Sequence, residues 1–455
     1  MPSMLSALAV CGVLRSAAGF GQMAPECEST TATDEVTAGF VGGTLYVYDP
    51  AGTAVWAEVH DLGDVAVEAE MAPKTKPHMV RPSPDGRLVA ISYTGDKVVD
   101  ILDASTKNLV ARLDATHPAP GIDGGAMHDG AWHGNDEFII ADMTGFINGI
   151  GGGALHKFTV STATHVSSLG MGSTSEDRGT AKTKPISLGT NSLGAFGDFY
   201  FVTDAFGAGS IISAVTMTVL KNLPLEDFAP CAGGGLWVEA HPVEPMIVVA
   251  QYGAQGDASE CLVSVNLGTM AIEGNLEMPA GADDAHGLQF CTSEVDQKVF
   301  LINTNRVSAT LDILEFETGA VVLNEFDLNA GIPSVISSGK RVLQPDVIYF
   351  DQTVHRLFIA ARGPEPLSAV KAQNFFEDAT PGLFSFTISP DCSEVEFVYG
   401  SDVALLTDLS LPHSGNVGDV HGIWGVNGQI WAVDQAATGF LQTKSTFHKC
   451  AADEL

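Results

Sequence analysis

Near-continuous apolar runs punctuate the chain at regular intervals: Arg87 to Tyr93, Glu137 to Asp142, Phe199 to Asp204, Met246 to Tyr252, Val299 to Thr304, Leu357 to Ala361 and Gln429 to Asp434. Runs of this length without polar alternation are expected of strands covered on both faces. Each run is preceded by a short segment and followed by a loop and a third strand. That third strand often ends in a polar turn, as in Val99 to Thr106, Cys261 to Asn266, Leu311 to Gly319 and Leu383 to Asp391. A fourth short strand follows, as in Leu109 to Leu113 and Ala320 to Phe326. The unit recurs about every 40 to 50 residues from near residue 76 onwards, a period typical of four-stranded propeller blades. Connections are hairpin-sized and no long amphipathic helix intervenes, which excludes alternating α/β architecture.

The chain's two ends complete the pattern. Thr44 to Pro50 and Ala54 to Val59 resemble the third and fourth strands of a blade that lacks its first two, and His421 to Asp434 supplies those two. Joining them closes the ring and removes exposed sheet edges. The expectation is therefore an all-β protein, a single β-propeller with seven four-stranded blades.

Composition supports a turn-rich globular chain: 45% of the 455 residues are hydrophobic, 17% are charged and 49 are glycine. Acidic residues outnumber basic ones 55 to 22, for a formal net charge of −33. With no basic stripe to neutralise phosphates, nucleic acid is not an expected partner. An acidic field instead favours cations and resists aggregation.

Met4 to Leu14 is a short apolar run followed by small residues through Gly19. It reads as a signal peptide over residues 1–22, leaving 23–455 as the propeller domain. No later segment reads as a membrane span. Beyond Cys11 lie six cysteines, Cys27, Cys231, Cys261, Cys291, Cys392 and Cys450, none in a CxxC motif. An even number in a secreted chain suggests disulfides. Sequence leaves the pairing open: Cys27 with Cys450 would tie the two ends, and Cys231 with Cys261 would staple one blade. The terminal Ala-Asp-Glu-Leu resembles an endoplasmic reticulum retention signal with its first position altered, and an ordinary acidic tail is the competing account.

The stretch Pro77 to Asp103, with Ser83-Pro84-Asp85-Gly86 between its first two strands and a hydrophobic-Asp turn ending the third, resembles the YVTN type of β-propeller repeat and its lactonase-like relatives. One blade carries the motif; the others keep only the strand rhythm. The resemblance implies the propeller fold and, as one functional alternative, a lactonase-like hydrolase in which an axial histidine or a divalent cation acts on the lactone carbonyl.

The histidines carry the candidate chemistry. His78 and His128 each lie ten residues before the first apolar residue of their second strands, Leu88 and Phe138. His421 lies nine before Ile430, His286 thirteen before Val299 across a longer hairpin, and Asp346 eleven before Leu357. These positions begin the innermost strands, so four imidazoles and one carboxylate from separate blades are expected at the channel mouth. Such a set suits zinc, copper or iron. His133, His241 and Asp129 are alternative or outer ligands, and Asp142 and Asp204 are candidates to orient the rings. The competing account makes the Pro-His and His-Gly pairs structural, with rings bonded to a neighbouring strand or a channel water. His60, His117, His156, His165, His355, His413 and His448 share no such register.

No GxSxG, HExxH or P-loop occurs, so serine-hydrolase, zincin and nucleotide-hydrolysing chemistry lack their motifs. The glycine runs at 151–153 and 233–235 read as turns. The segment 171–184 reads as an exposed loop, and 363–382 as an insertion or lid. Three functions follow: a metal-dependent enzyme or metal-binding protein acting on a small molecule or ion in the channel, a lactonase-like hydrolase, or a non-enzymatic platform for a protein partner.

Overall fold

The computed structural model describes residues 43–50, 58–115 apart from 75, 126–143, 153–171, 185–190, 197–204, 209–252 apart from 229, 230, 232 and 233, 261–330 apart from 280 and 281, 344–362, 382–398 and 420–435. Seven four-stranded antiparallel sheets form a seven-bladed β-propeller. Blade 1 spans 77–114, blade 2 127–170, blade 3 185–223, blade 4 234–277, blade 5 285–327 and blade 6 345–397. Blade 7 takes its inner strands, Val420–Val426 and Gln429–Asp434, from one end of the chain, and its outer ones, Thr44–Tyr48 and Glu58–Asp61, from the other. Thr44 to Tyr48 pairs antiparallel with Asp434 to Ile430, closing the ring as the sequence predicts.

The described part of that blade's outermost strand, Glu58–Asp61, runs directly into a helix, Leu62–Glu68, and residues 54–57 lie outside the described residues. Asp61 caps this helix, its carboxylate accepting from the backbone N–H of Gly63 and Asp64 at 2.7 and 3.2 Å.

The apolar runs have a direct structural cause. In the second strand of blade 4, Ile247 and Val249 pack with Phe201 and Ile211 of blade 3. The intervening Val248 and Ala250 belong to a cluster with Leu288 and Leu301 of blade 5. Alternate side chains thus enter opposite inter-blade layers, so both faces must be apolar. Each fully buried Val, Ile, Leu or Phe side chain of this kind contributes about 1.5–3 kcal/mol. Fourth strands lie at the rim, and Val321–Asp327 is mostly exposed.

Two disulfides are present. Cys231–Cys261 staples blade 4 to its approach, one of the pairings the sequence leaves open. Cys291–Cys392 joins the innermost strand of blade 5 to a turn of blade 6. Cys27 and Cys450, residues 1–22, the retention-like tail and the segments 172–184 and 363–381 lie outside the described residues. No helix among the described residues is long and apolar enough to cross a membrane.

Candidate metal centre

The innermost strands are Pro77–Pro82, Met127–His133, Pro185–Thr190, Gly234–Ala240, Ala285–Thr292, Pro345–Asp351 and Val420–Val426, and each contacts the next around the ring. Pairing with the second strand slips near the start of all seven, between Pro77 and Val80, Met127 and Gly130, at the corresponding place in blades 3, 5, 6 and 7, and one residue later in blade 4, between Gly235 and Trp237. Bulges of this kind free a residue from the ladder and re-aim its side chain. In six blades the second residue of the strand sits in that slip, and in blade 4 the slip falls at Leu236 instead. In ring order the second residues are His78, His128, Ile186, Gly235, His286, Asp346 and His421. Five consecutive blades, 5, 6, 7, 1 and 2, therefore present a metal-donor side chain, and blades 3 and 4 do not.

All five expected residues come together, but not as one set. They fall into two triads that share His421: His78, His128 and His421, and His286, Asp346 and His421, each with ligand atoms mutually within 4.8 Å. In the first triad the His78 ring centroid lies 4.1 Å from that of His128 and 3.7 Å from that of His421. His78 and His421 are buried and His128 is half-buried.

The His-Gly pairs of the ring, at 286–287 and 421–422, are explained by close strand approach. A Cβ at Gly422 would stand 2.3 Å from the His78 carbonyl oxygen and 2.7 Å from Met79 Cα. At Gly287 it would stand 2.7 Å from the Asp346 carbonyl oxygen. Glycine is thus what lets adjacent innermost strands approach where the ligating side chains emerge.

The second triad is already charge-compensated. His286 Nε2 pairs with Asp346 Oδ1, Arg362 Nη1 lies 3.2 Å from Asp346 Oδ2, and Arg306 Nη1 lies 3.8 Å from Asp346 Oδ1. Arg306 Nε also donates to Asp284 at 2.6 Å, and Asp284 lies 3.8 Å from His286 Nδ1. Burial pushes the Asp346 carboxyl up, but His286, His421 and Arg362 carry it well below the usual carboxylate range. Burial likewise disfavours the His286 cation, yet the Asp346 charge prevails and raises its pKa.

His421 is different. Burial pushes its pKa well below the ordinary value, reinforced by Arg362, His128 and His286 against the pull of Asp346. Its Nε2 lies 3.3 Å from Asp346 Oδ2, and its buried Nδ1 has no hydrogen-bond partner among the described residues. On the other side of the first triad, the Gln435 amide contacts His78 Nδ1. Ser92 Oγ donates to the His128 carbonyl while accepting from Met79 N at 3.2 Å.

Several expected outer residues are used elsewhere. Asp129 binds Arg81 through two hydrogen bonds, from Nε at 2.8 Å and Nη2 at 2.7 Å. His133 closes the other end of its strand, against Glu137 at 2.6 Å and Asp198 at 2.8 Å. His241 Nδ1 accepts from Val243 N and Glu244 N, capping a turn. Asp142 pairs with buried His156 at 3.2 Å.

Sequence reasoning missed Arg306, Arg362 and Gln435. Each immediately follows the second strand of its blade, after Asn305, Ala361 and Asp434, so the register that located the histidines also locates them.

The two faces of the ring differ. The hairpins 83–87, 134–136 and 427–428 lie opposite the histidines, whereas strands bordering the long connections 171–184, 328–344, 362–381 and 398–419 end on the histidine side. Beneath the ring, Arg81 Cζ sits 4.7 Å from the Trp237 ring centroid and 4.3 Å from that of Trp424.

Fold and site together define a seven-bladed β-propeller with a channel-mouth cluster of four histidines and one aspartate. Compared with known proteins, the chain matches no family model and no curated sequence.

Proposed function

We propose that this chain is a secreted metal-binding propeller that holds one divalent transition-metal ion, zinc, copper or iron, through His78, His128 and His421. The observation that carries this reading is the convergence of three imidazoles from three blades, with ligand atoms within 4.8 Å. The first triad is preferred over the second on electrostatic grounds. All three donors of the first triad are imidazoles, whereas the one anionic donor of the second, Asp346, is already neutralised by Arg362 at 3.2 Å and Arg306 at 3.8 Å.

In this reading His421 donates its Nε2 proton to Asp346 and presents Nδ1 to the ion, the carboxylate–histidine–metal arrangement that fixes a tautomer and ring orientation. That role accounts for a buried nitrogen otherwise left without a partner. In the same reading the Gln435 amide, which meets His78 Nδ1, turns its oxygen to that nitrogen and accepts its proton, leaving Nε2 for the ion. His286 and Asp346 then support the centre. Three imidazoles leave coordination positions for an outside ligand, the set found where an ion polarises a bound water or carbonyl.

Entry is assigned to the histidine face of the ring. The apolar run at residues 4–14, two disulfides and the net charge of −33 support secretion into an oxidising, cation-bearing medium. The YVTN-type resemblance of residues 77–103 supports the same fold and adds no ligand.

The test is titration of chelator-stripped protein with Zn(II), Cu(II) and Co(II). One ion per chain is expected, lost in His78→Ala, His128→Ala and His421→Ala. Equal binding by all three variants refutes the assignment.

A further inference from the structure

We infer that Arg81 is the positioning residue of the three-histidine centre, a clamp that holds the three ligand-bearing strands in register from directly beneath. The inference rests on the metal-binding reading above and adds a residue that touches no ligand atom.

The placement carries it. Arg81 lies three residues after His78 on the innermost strand of blade 1, Asp129 immediately follows His128 on blade 2, and Trp424 lies three residues after His421 on blade 7. One guanidinium thus contacts each strand that supplies a ligand. It donates to both Asp129 oxygens at 2.8 and 2.7 Å and lies over the Trp424 ring at 4.3 Å. The same Cζ lies 4.7 Å from the ring centroid of Trp237 of blade 4.

The contacts fix orientation as well as proximity. A forked, two-point bond to a carboxylate sets the guanidinium plane, and two indole rings pack against the same group. Asp129 is itself held by Ser187 Oγ at 2.6 Å and by the Gly130 N–H at 2.8 Å, and the Arg81 carbonyl accepts from Trp132 Nε1 at 2.9 Å. The Arg81 and Asp129 side chains are 11% and 0% exposed, so solvent screens the pair little.

A compact ammonium cannot reproduce this. Lysine keeps the charge but loses the fork and the flat stacking surface. A merely structural role lowers stability and leaves the centre's chemistry alone. A positioning role alters ligand geometry in protein that is still folded.

The experiment uses the full chain loaded with Co(II), whose visible spectrum reports coordination geometry. Arg81→Lys is the principal variant. Trp424→Phe is the second, since it leaves the Arg81–Asp129 charge pair intact and guards against misfolding of the first. Both are checked for native near-ultraviolet circular dichroism.

The expected result is a tenfold or greater loss of Co(II) affinity in Arg81→Lys, about threefold in Trp424→Phe, and altered visible bands in both. Wild-type affinity and bands in the folded variants, whatever their melting temperatures, overturn the clamp alone. A wild-type chain that takes up no Co(II) overturns the metal reading together with it.

Discussion

Glu239, on the innermost strand of blade 4, provides a sharp test of the electrostatics around the channel. Burial pushes its carboxyl up to about 8 from an ordinary 4.5, overcoming the attraction of Arg81 and the hydrogen bonds from the Ala240 backbone and Trp237. Asp129 repels the ionised form, and Gln289 Nε2 donates to Glu239 Oε2 at 2.9 Å. The folded chain therefore keeps a proton that the unfolded chain releases above its own pKa. Stability conferred by the neutral carboxyl is full below about 4.5, declines as pH rises through the window to about 8, and then levels off. The difference 8 − 4.5 = 3.5 units corresponds to about 5 kcal/mol at 1.36 kcal/mol per unit, an upper bound because the side chain is only part-buried. Glu239→Gln keeps an oxygen for Gln289 and cannot ionise. Urea denaturation at pH 5, 7 and 9, followed by tryptophan fluorescence, should show variant and wild type alike at pH 5 and the variant more stable by several kcal/mol at pH 9. Groups common to both chains cancel in that difference. Parallel profiles would refute the argument and make Glu239 a second ionised partner of Arg81.

Other outcomes follow from the same contacts. Gly422→Ala forces a Cβ against the blade 1 backbone and should cost about 1–3 kcal/mol, read by denaturant melts, with metal affinity falling in parallel. Asp346→Asn weakens the acceptor for the His421 Nε2 proton and should reduce metal affinity about 10- to 100-fold, measured by competition with a chelator dye. Replacing Cys231 and Cys261 together by alanine opens a loop of sequence separation 30. By loop-closure entropy this should lower stability by about 3–4 kcal/mol, seen as a reduced urea midpoint with unchanged metal stoichiometry.

Much of the architecture is readable from residues alone because propeller blades bury both faces of their middle strands. The runs at 246–252 and 299–304 have no other economical reading, and the shared blade announces itself in the half-patterns at residues 44 and 421. The histidine register is legible for a related reason: repeats convert sequence offset into position around an axis. What the offsets conceal is depth along that axis. His128 and Asp129 are adjacent in sequence, yet one joins the ring and the other binds Arg81 below it, because the bulge at Met127–Gly130 separates their directions. The division into two triads is equally invisible, since it depends on Arg306 and Arg362 reaching Asp346 from residues that follow their second strands. Asp142 reads as a ring-orienting carboxylate and instead meets His156, whose place on a third strand lies outside the register considered.

The most direct test of the central claim is an anomalous-scattering map from crystals of chelator-stripped protein resupplied with a single equivalent of Zn(II), collected on both sides of the zinc edge. A single peak bonded to nitrogens of His78, His128 and His421, with Asp346 behind His421, is the predicted result. A peak elsewhere, or none at that ring in protein shown to be folded, contradicts it.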